Sequence, residues 1–169
     1  MLDWYPGGNF LLFASDRASY RNVFRQLYKT GSTGGMPEKL PLSYGEFASF
    51  SADGKTLAFT YMAEYARTWK RYRGGTAPDV WLYDMKTKKA RNLTKNDASD
   101  MFPMFHGSTL YFLSDQGPNK RGNIWAYHMK TETFRQVTQY KNFDVKSPAI
   151  GPEEIIFEKG GRLFLMALD

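Results

Sequence analysis

Residues 79–85, DVWLYDM, and residues 123–129, NIWAYHM, are one pattern written twice, and their reading decides the fold. Each sets a short polar side chain (Asp79, Asn123) before an aliphatic residue and then an aromatic one (Trp81, Trp125). QLYKT at 26–30 repeats the order with Gln26 and Tyr28, and RLFLMAL at 162–168 repeats it with Arg162 and Phe164. Short aromatic-rich runs of this kind are strands. Asp79 and Asn123 are expected to cap the turn into their strand through local backbone amides. Trp81, Trp125 and Phe164 are expected to fill the core between neighbouring repeats.

Moving outward, a second unit precedes each copy: LLFASD, LAFTY, LYFLSD and IIFEK, sharing Phe13, Phe59, Phe112 and Phe157 at spacings of 46, 53 and 45 residues. A third unit follows the first three copies: PEKLPL, ARNLTKN and FRQVTQY. Between third and first units stand GEFASFS, DMFPMFH and VKSPAIG, and turns such as ADGK (52–55) and GPEE (151–154) follow. Four strands in fixed order, repeated with a period in the forties, are the signature of a β-propeller blade. A β-sandwich with chance similarity is the competing reading. No stretch keeps helical periodicity beyond a turn or two. The expected fold class is therefore all-β, a partial propeller of about four blades of four antiparallel strands. The blades fall at 1–42, 43–95, 96–140 and 141–169, the last one incomplete. A partial ring exposes strand edges at both ends, so missing partner sequence or self-association is expected.

Composition agrees with one globular domain. The chain has 169 residues, is 42% hydrophobic and 17% aromatic, and is long enough for a real core. Cysteine is absent, which excludes disulfides and thiolate chemistry. No apolar run approaches the length needed to cross a bilayer.

The net charge of +6 is concentrated in one place. Between 67 and 95 lie nine Lys/Arg and two Asp. Arg67, Lys70, Arg71 and Arg73 sit beside aromatics, an arrangement that can hold nucleic acid. Propeller geometry argues against it. Strands alternate in direction, so residues 62–78 form the connection between the second and third strands of their blade. Lys86, Lys88 and Lys89 lie in the next turn, on the opposite face. The cations do not make one groove, and no nucleic-acid partner is expected. The longest blade spacing coincides with 62–78, so this stretch is an insertion, which loops absorb at small cost.

FSADGKTLAFTY at 50–61 resembles the turn-and-strand signature of TolB-type, WD40-like propeller repeats. RTWKRYRGGTAPDVWLYDMKTKKARNLT at 67–94 resembles, more specifically, the N-terminal six-bladed propeller of tricorn protease and its bacterial homologues. DMFPMF (100–105), LYFLSDQ (110–116) and DVKSPAIGPEEIIFEKGGRLFLMAL (144–168) continue the likeness. The resemblance implies blades three to six of that propeller, with the insertion held by Trp69 and Tyr72 packing on the propeller face. It implies a large, oligomeric parent with a PDZ-like module and an S41-type serine peptidase core. It implies that the propeller acts as a peptide portal, with the catalytic groups outside this chain. A cytoplasmic setting follows from the tricorn type, and export remains open for bacterial relatives. The alternative is a TolB-like protein-binding scaffold without peptidase activity.

No catalytic residue, metal ligand or cofactor is expected here. SADGKT at 51–56 lacks the first glycine of a phosphate loop, because Ser49 stands in its place, and it precedes a strand. His106 and His128 have no cysteine or carboxylate at ligand spacing. Ser15-Asp16 and Ser114-Asp115 recur as strand ends, and no nucleophile elbow exists. Peptide contact, if made here, is expected at Arg67, Lys70, Arg71 and Arg73, whose charge suits a carboxylate. Packing of the insertion against another domain or subunit competes with that expectation.

Overall fold

The computed structural model describes residues 2–19, 24–61 and 70–168. They form four successive antiparallel sheets, the blades of an incomplete propeller. The first comprises β1 (Leu2–Trp4), β2 (Phe10–Ser15), β3 (Gln26–Gly31) and β4 (Glu38–Lys39). The second comprises β5 (Ala48–Phe50), β6 (Thr56–Thr60), β7 (Val80–Asp84) and β8 (Ala90–Asn92). The third comprises β9 (Asp100–His106), β10 (Thr109–Ser114), β11 (Asn123–His128) and β12 (Thr133–Gln136). The last is three-stranded: β13 (Val145–Ile150), β14 (Glu154–Lys159) and β15 (Arg162–Ala167). In every sheet the spatial order is the chain order. Along the ring β1 contacts β5, β5 contacts β9, and β9 contacts β13.

Strand alternation divides the apolar residues between neighbouring blades. Leu57, Phe59 and Tyr83 turn towards the first blade and join Leu12, Leu27, Leu40 and Phe50. Ala58, Val80 and Leu82 turn the other way, onto Leu110, Phe112 and Tyr127 of the third. Tyr111, Leu113, Ile124 and Ala126 meet Val145, Ile155 and Phe157 of the last blade. The core is therefore three inter-blade layers, with Phe59 and Phe112 at 0% exposure. Trp81, Trp125 and Phe164 pack against these layers but are only half-buried. Trp81 meets Tyr61 edge-on at 4.9 Å, and Phe164 stacks on Phe157 at 5.7 Å.

The polar residues at the head of the repeat work differently from the expected local cap. Asp79 accepts from Asn92 Nδ2 at 2.7 Å and from Thr94 Oγ1 at 3.0 Å. Asn123 accepts from Thr138 Oγ1 at 2.9 Å and from the Tyr140 amide at 2.8 Å. The threonine hydroxyl also receives the next amide of the third strand: Val80 N–H donates to Thr94, and Ile124 N–H to Thr138. Each polar head thus latches its third strand to the end of the outer strand of the same blade or to the segment that follows it. The head residue lies opposite the end of the hairpin, so its nearest donors come from the returning chain.

The turn residues behave as turn chemistry requires. Asp84 Oδ1 accepts the amides of Lys86 and Thr87, and His128 Nδ1 accepts the amide of Thr131 three residues on. ADGK closes β5 onto β6, with Asp53 accepting from Ser51 Oγ and Lys55 N–H and with Gly54 at φ +68°.

Candidate functional site

The insertion leaves β6 and returns to β7, and its described part, from Lys70 onward, crosses the face where second strands pass to third strands. Two guanidinium groups tie it down. Arg73 donates from Nη1 to Asp115 Oδ1 at 2.7 Å and from Nη2 to the Asp115 carbonyl at 2.8 Å. Asp115 also receives the Ser99 amide at 2.9 Å. Arg71 donates from Nε to the Lys120 carbonyl at 3.1 Å, and its Nη2 lies 3.6 Å from Asp144 Oδ2. Asp144 also holds the Gly122 amide at 3.0 Å and faces Arg121 at 4.0 Å. An insertion from the second blade is thus fastened to the third and to the entry of the fourth.

Of the aromatic packing expected for the insertion, the Tyr72 half falls on the described residues and is not what holds them. Tyr72 is 38% exposed, and Trp69 lies outside the described residues. The stretch is rich in arginine, and the strand ends beneath it carry acids, so ion pairs supply the anchorage. Gly74, at φ +134°, makes the turn back towards β7, and a Cβ there would meet the Tyr72 hydroxyl at 2.9 Å.

Beneath the insertion lies a cleft of about 290 Å³. Its apolar floor is made by Phe47, Met101, Phe102, Leu113 and Val145, with the Phe47 and Phe102 rings stacked at 4.0 Å. Lys70, Arg71, Lys120 and Lys146 supply its cations, and Asp115 and Asp144 its two carboxylates. Two of the innermost strands shape it with the same device. Phe102-Pro103 in β9 and Ser147-Pro148 in β13 each form a bulge where register shifts, opposite Phe112 and Phe157. Phe102 and Ser147 take φ values of +52° and +46°. The left-handed conformation is costly for residues with a side chain. Bulges of this kind re-aim side chains, and here both line the cleft.

Behind the cleft, at the joint of the second and third blades, is a buried polar knot. Asp100 is wholly buried, and one of its oxygens accepts from Asn96 Nδ2 at 2.8 Å. Its other oxygen finds no partner of ordinary hydrogen-bond geometry among the described residues. Burial pushes its carboxyl up to about 6, with Asp79 adding to the effect, although Ser114, Thr94 and Asn96 act against it. Glu46, paired with Arg25 at 2.7 Å between the first two blades, is also raised by burial, and the arginine acts against the rise.

Of the residues singled out in the sequence, Lys70 and Arg71 line the cleft, Arg73 anchors the insertion beside it, and Arg67 lies outside the described residues. Asp79 and Asn123 are latches, while His106 contacts the Pro152 carbonyl and His128 caps a turn. Sequence reading missed Phe47, Phe102, Lys120, Asp144 and Lys146. The shared x-Pro pair in two first strands was the available signal. Their convergence was not visible, because the cleft is assembled from connections of three blades.

Several known proteins resemble this chain. A tricorn protease homolog of Saccharolobus solfataricus is 24% identical over 140 residues, covering 83% of this chain and 13% of that protein. A putative tricorn protease homolog 2 of Streptomyces coelicolor is 26% identical over 156 residues, covering 88% and 13%. The chain therefore spans about one eighth of the length of these relatives. In fold it is similar to a putative TolB from Agrobacterium tumefaciens, with a TM-score of 0.75 at 16% identity over 98% of this chain and 60% of that one. It is also similar to the crystal structure of the tricorn protease, with a TM-score of 0.54 at 15% identity over 98% and 21%. The profile of the tricorn protease N-terminal beta propeller domain matches residues 1–169, and the chain belongs to that family.

Proposed function

We propose that this chain is the non-catalytic propeller segment of a tricorn-like serine peptidase and that it helps peptides pass to or from an active site elsewhere in the assembly. Family membership along the whole chain carries the reading. The cleft supports the peptide role, because an apolar floor under a cationic rim suits an extended chain with a carboxylate. Lys70 and Arg71 are the contact residues of the insertion. Arg67 belongs with them by sequence, and Arg73 sets their position. The nucleophile, base and oxyanion hole are assigned to the rest of the parent polypeptide. In this reading the parent is a cytoplasmic homo-oligomer, exported where the full polypeptide carries a signal peptide. The blades packed beside this segment are then its immediate partners.

Recovery of the native polypeptide with an antibody against this segment tests the assignment. A polypeptide several times longer than this chain, hydrolysing peptides, is expected. One only long enough to complete a six-bladed ring, without hydrolysis, would overturn the peptidase reading and leave a TolB-like binding scaffold.

A further inference from the structure

The two ion pairs that fasten the insertion are unequal. Arg73 makes two short bonds to Asp115, with side chains 21% and 11% exposed. Arg71 donates from Nε to the Lys120 carbonyl at 3.1 Å, but its Nη2 approaches Asp144 only to 3.6 Å and its side chain is 40% exposed. The first contact is an anchor. The second is a weak tip, and Asp144 keeps the Gly122 amide and Arg121 when Arg71 leaves.

The cleft that Arg71 lines offers a place for another anion. Its carboxylates are already engaged, Asp115 by Arg73 and Ser99, and Asp144 by Gly122 and the two arginines. Lys70, Lys120 and Lys146 are exposed on its lining. An incoming carboxylate therefore meets cations, while an attached apolar group meets Phe47, Met101, Phe102 and Leu113. A cavity of about 150 Å³ suffices for benzene, so a volume of about 290 Å³ admits a ring with a short arm. We propose that this cleft binds an amphiphilic carboxylate, its apolar or aromatic group on the Phe102 floor and its carboxylate among Lys70, Lys120 and Lys146, and that Arg71 passes from Asp144 to the ligand. The proposal rests on the peptide-passage reading and narrows it to peptides with a carboxylate beside a large apolar side chain.

The probes are 3-phenylpropionate and its amide, titrated into the intact protein and followed by methionine methyl NMR. Met101 lines the cleft, and Met36, 90% exposed, serves as the control. The acid is expected to shift Met101 saturably and to bind at least ten-fold more tightly than the amide. Lys120→Gln with Lys146→Gln should weaken the acid several-fold and leave the amide unchanged. Asp144→Asn keeps an acceptor for Gly122, frees Arg71, and should tighten the acid. Equal binding of acid and amide, or an unmoved Met101, would overturn the proposal. Peptides carrying Phe-Glu or Phe-Gln internally, or a terminal Phe with a free or amidated end, identify the source of the carboxylate. A preference within either pair supports the ligand class, and indifference in both overturns it. Should the cleft ignore every carboxylate while the whole enzyme still discriminates peptides by length through its propeller, this ligand class fails and the passage reading survives.

Discussion

Replacing Asp100 with asparagine should stabilise the propeller at neutral pH and leave it nearly unchanged in acid. Asp100 is buried between the second and third blades, with one oxygen bonded to Asn96 and the other lacking a partner among the described residues. Its carboxyl is raised from 3.8 to about 6, first by burial and then by Asp79. Because the folded value lies above the unfolded one, the unfolded chain releases this proton at a lower pH than the fold does. Stability from the protonated acid is therefore full below pH 4, declines between about 4 and 6, and stays low above that range. A rise of about two units, at ~1.4 kcal/mol each, amounts to about 3 kcal/mol at pH 7.5. The amide introduced by Asp100→Asn keeps an oxygen for Asn96 and cannot ionise, so the variant should recover most of that amount. Urea titrations of both proteins from pH 4 to 8 measure it. The stability difference should be near zero at pH 4 and grow to its plateau by pH 7. A variant no more stable than wild type at pH 7.5, or a difference independent of pH, would refute the argument.

Other substitutions test other joints. Arg73→Met leaves the Asp115 carboxylate, among the described residues, with the Ser99 amide alone and should cost about 3 kcal/mol in urea, the low end for breaking a buried pair. Thr138→Val removes the hydroxyl that joins Ile124 N–H to Asn123, and should cost about 1–3 kcal/mol by thermal or urea unfolding. Thr94→Val should cost a similar amount, because it breaks the same latch one blade earlier. Phe59→Ala opens a cavity in a fully buried layer and should cost about 3–5 kcal/mol, whereas half-buried Trp81→Ala should cost about half as much. A reversed order in the same titration would show that the layers are assigned to the wrong faces.

The blade order was legible because a strand repeat leaves a period that survives divergence. Phe59 and Phe112 mark the same place in two blades, and that place is the core. The half-burial of Trp81 and Trp125 was not legible, since the side chain towards a neighbouring blade and the depth it reaches depend on packing between sheets. The partners of Asp79 and Asn123 were missed for a related reason: Thr94 and Thr138 stand fifteen residues on and become neighbours only when the hairpin closes. Arg71 and Arg73 stood out by charge. Their acids, Asp144 and Asp115, lie 73 and 42 positions further along the chain, and although Asp115 stands out as a repeated strand end, nothing local pairs either acid with an arginine. A cleft floor built by bulges at Phe102 and Ser147 depends on backbone register, which pattern reading leaves open.

The most direct test of a peptide-passing propeller is turnover by the full-length protein after Lys70, Lys120 and Lys146 are changed to Glu. These side chains are exposed, so the fold should tolerate the change. The measurement is kcat/KM for a long peptide and for a short chromogenic one that reaches the active site unaided. A fall is expected for the long peptide and an unchanged value for the short one. Equal values for wild type and variant on both substrates would contradict it.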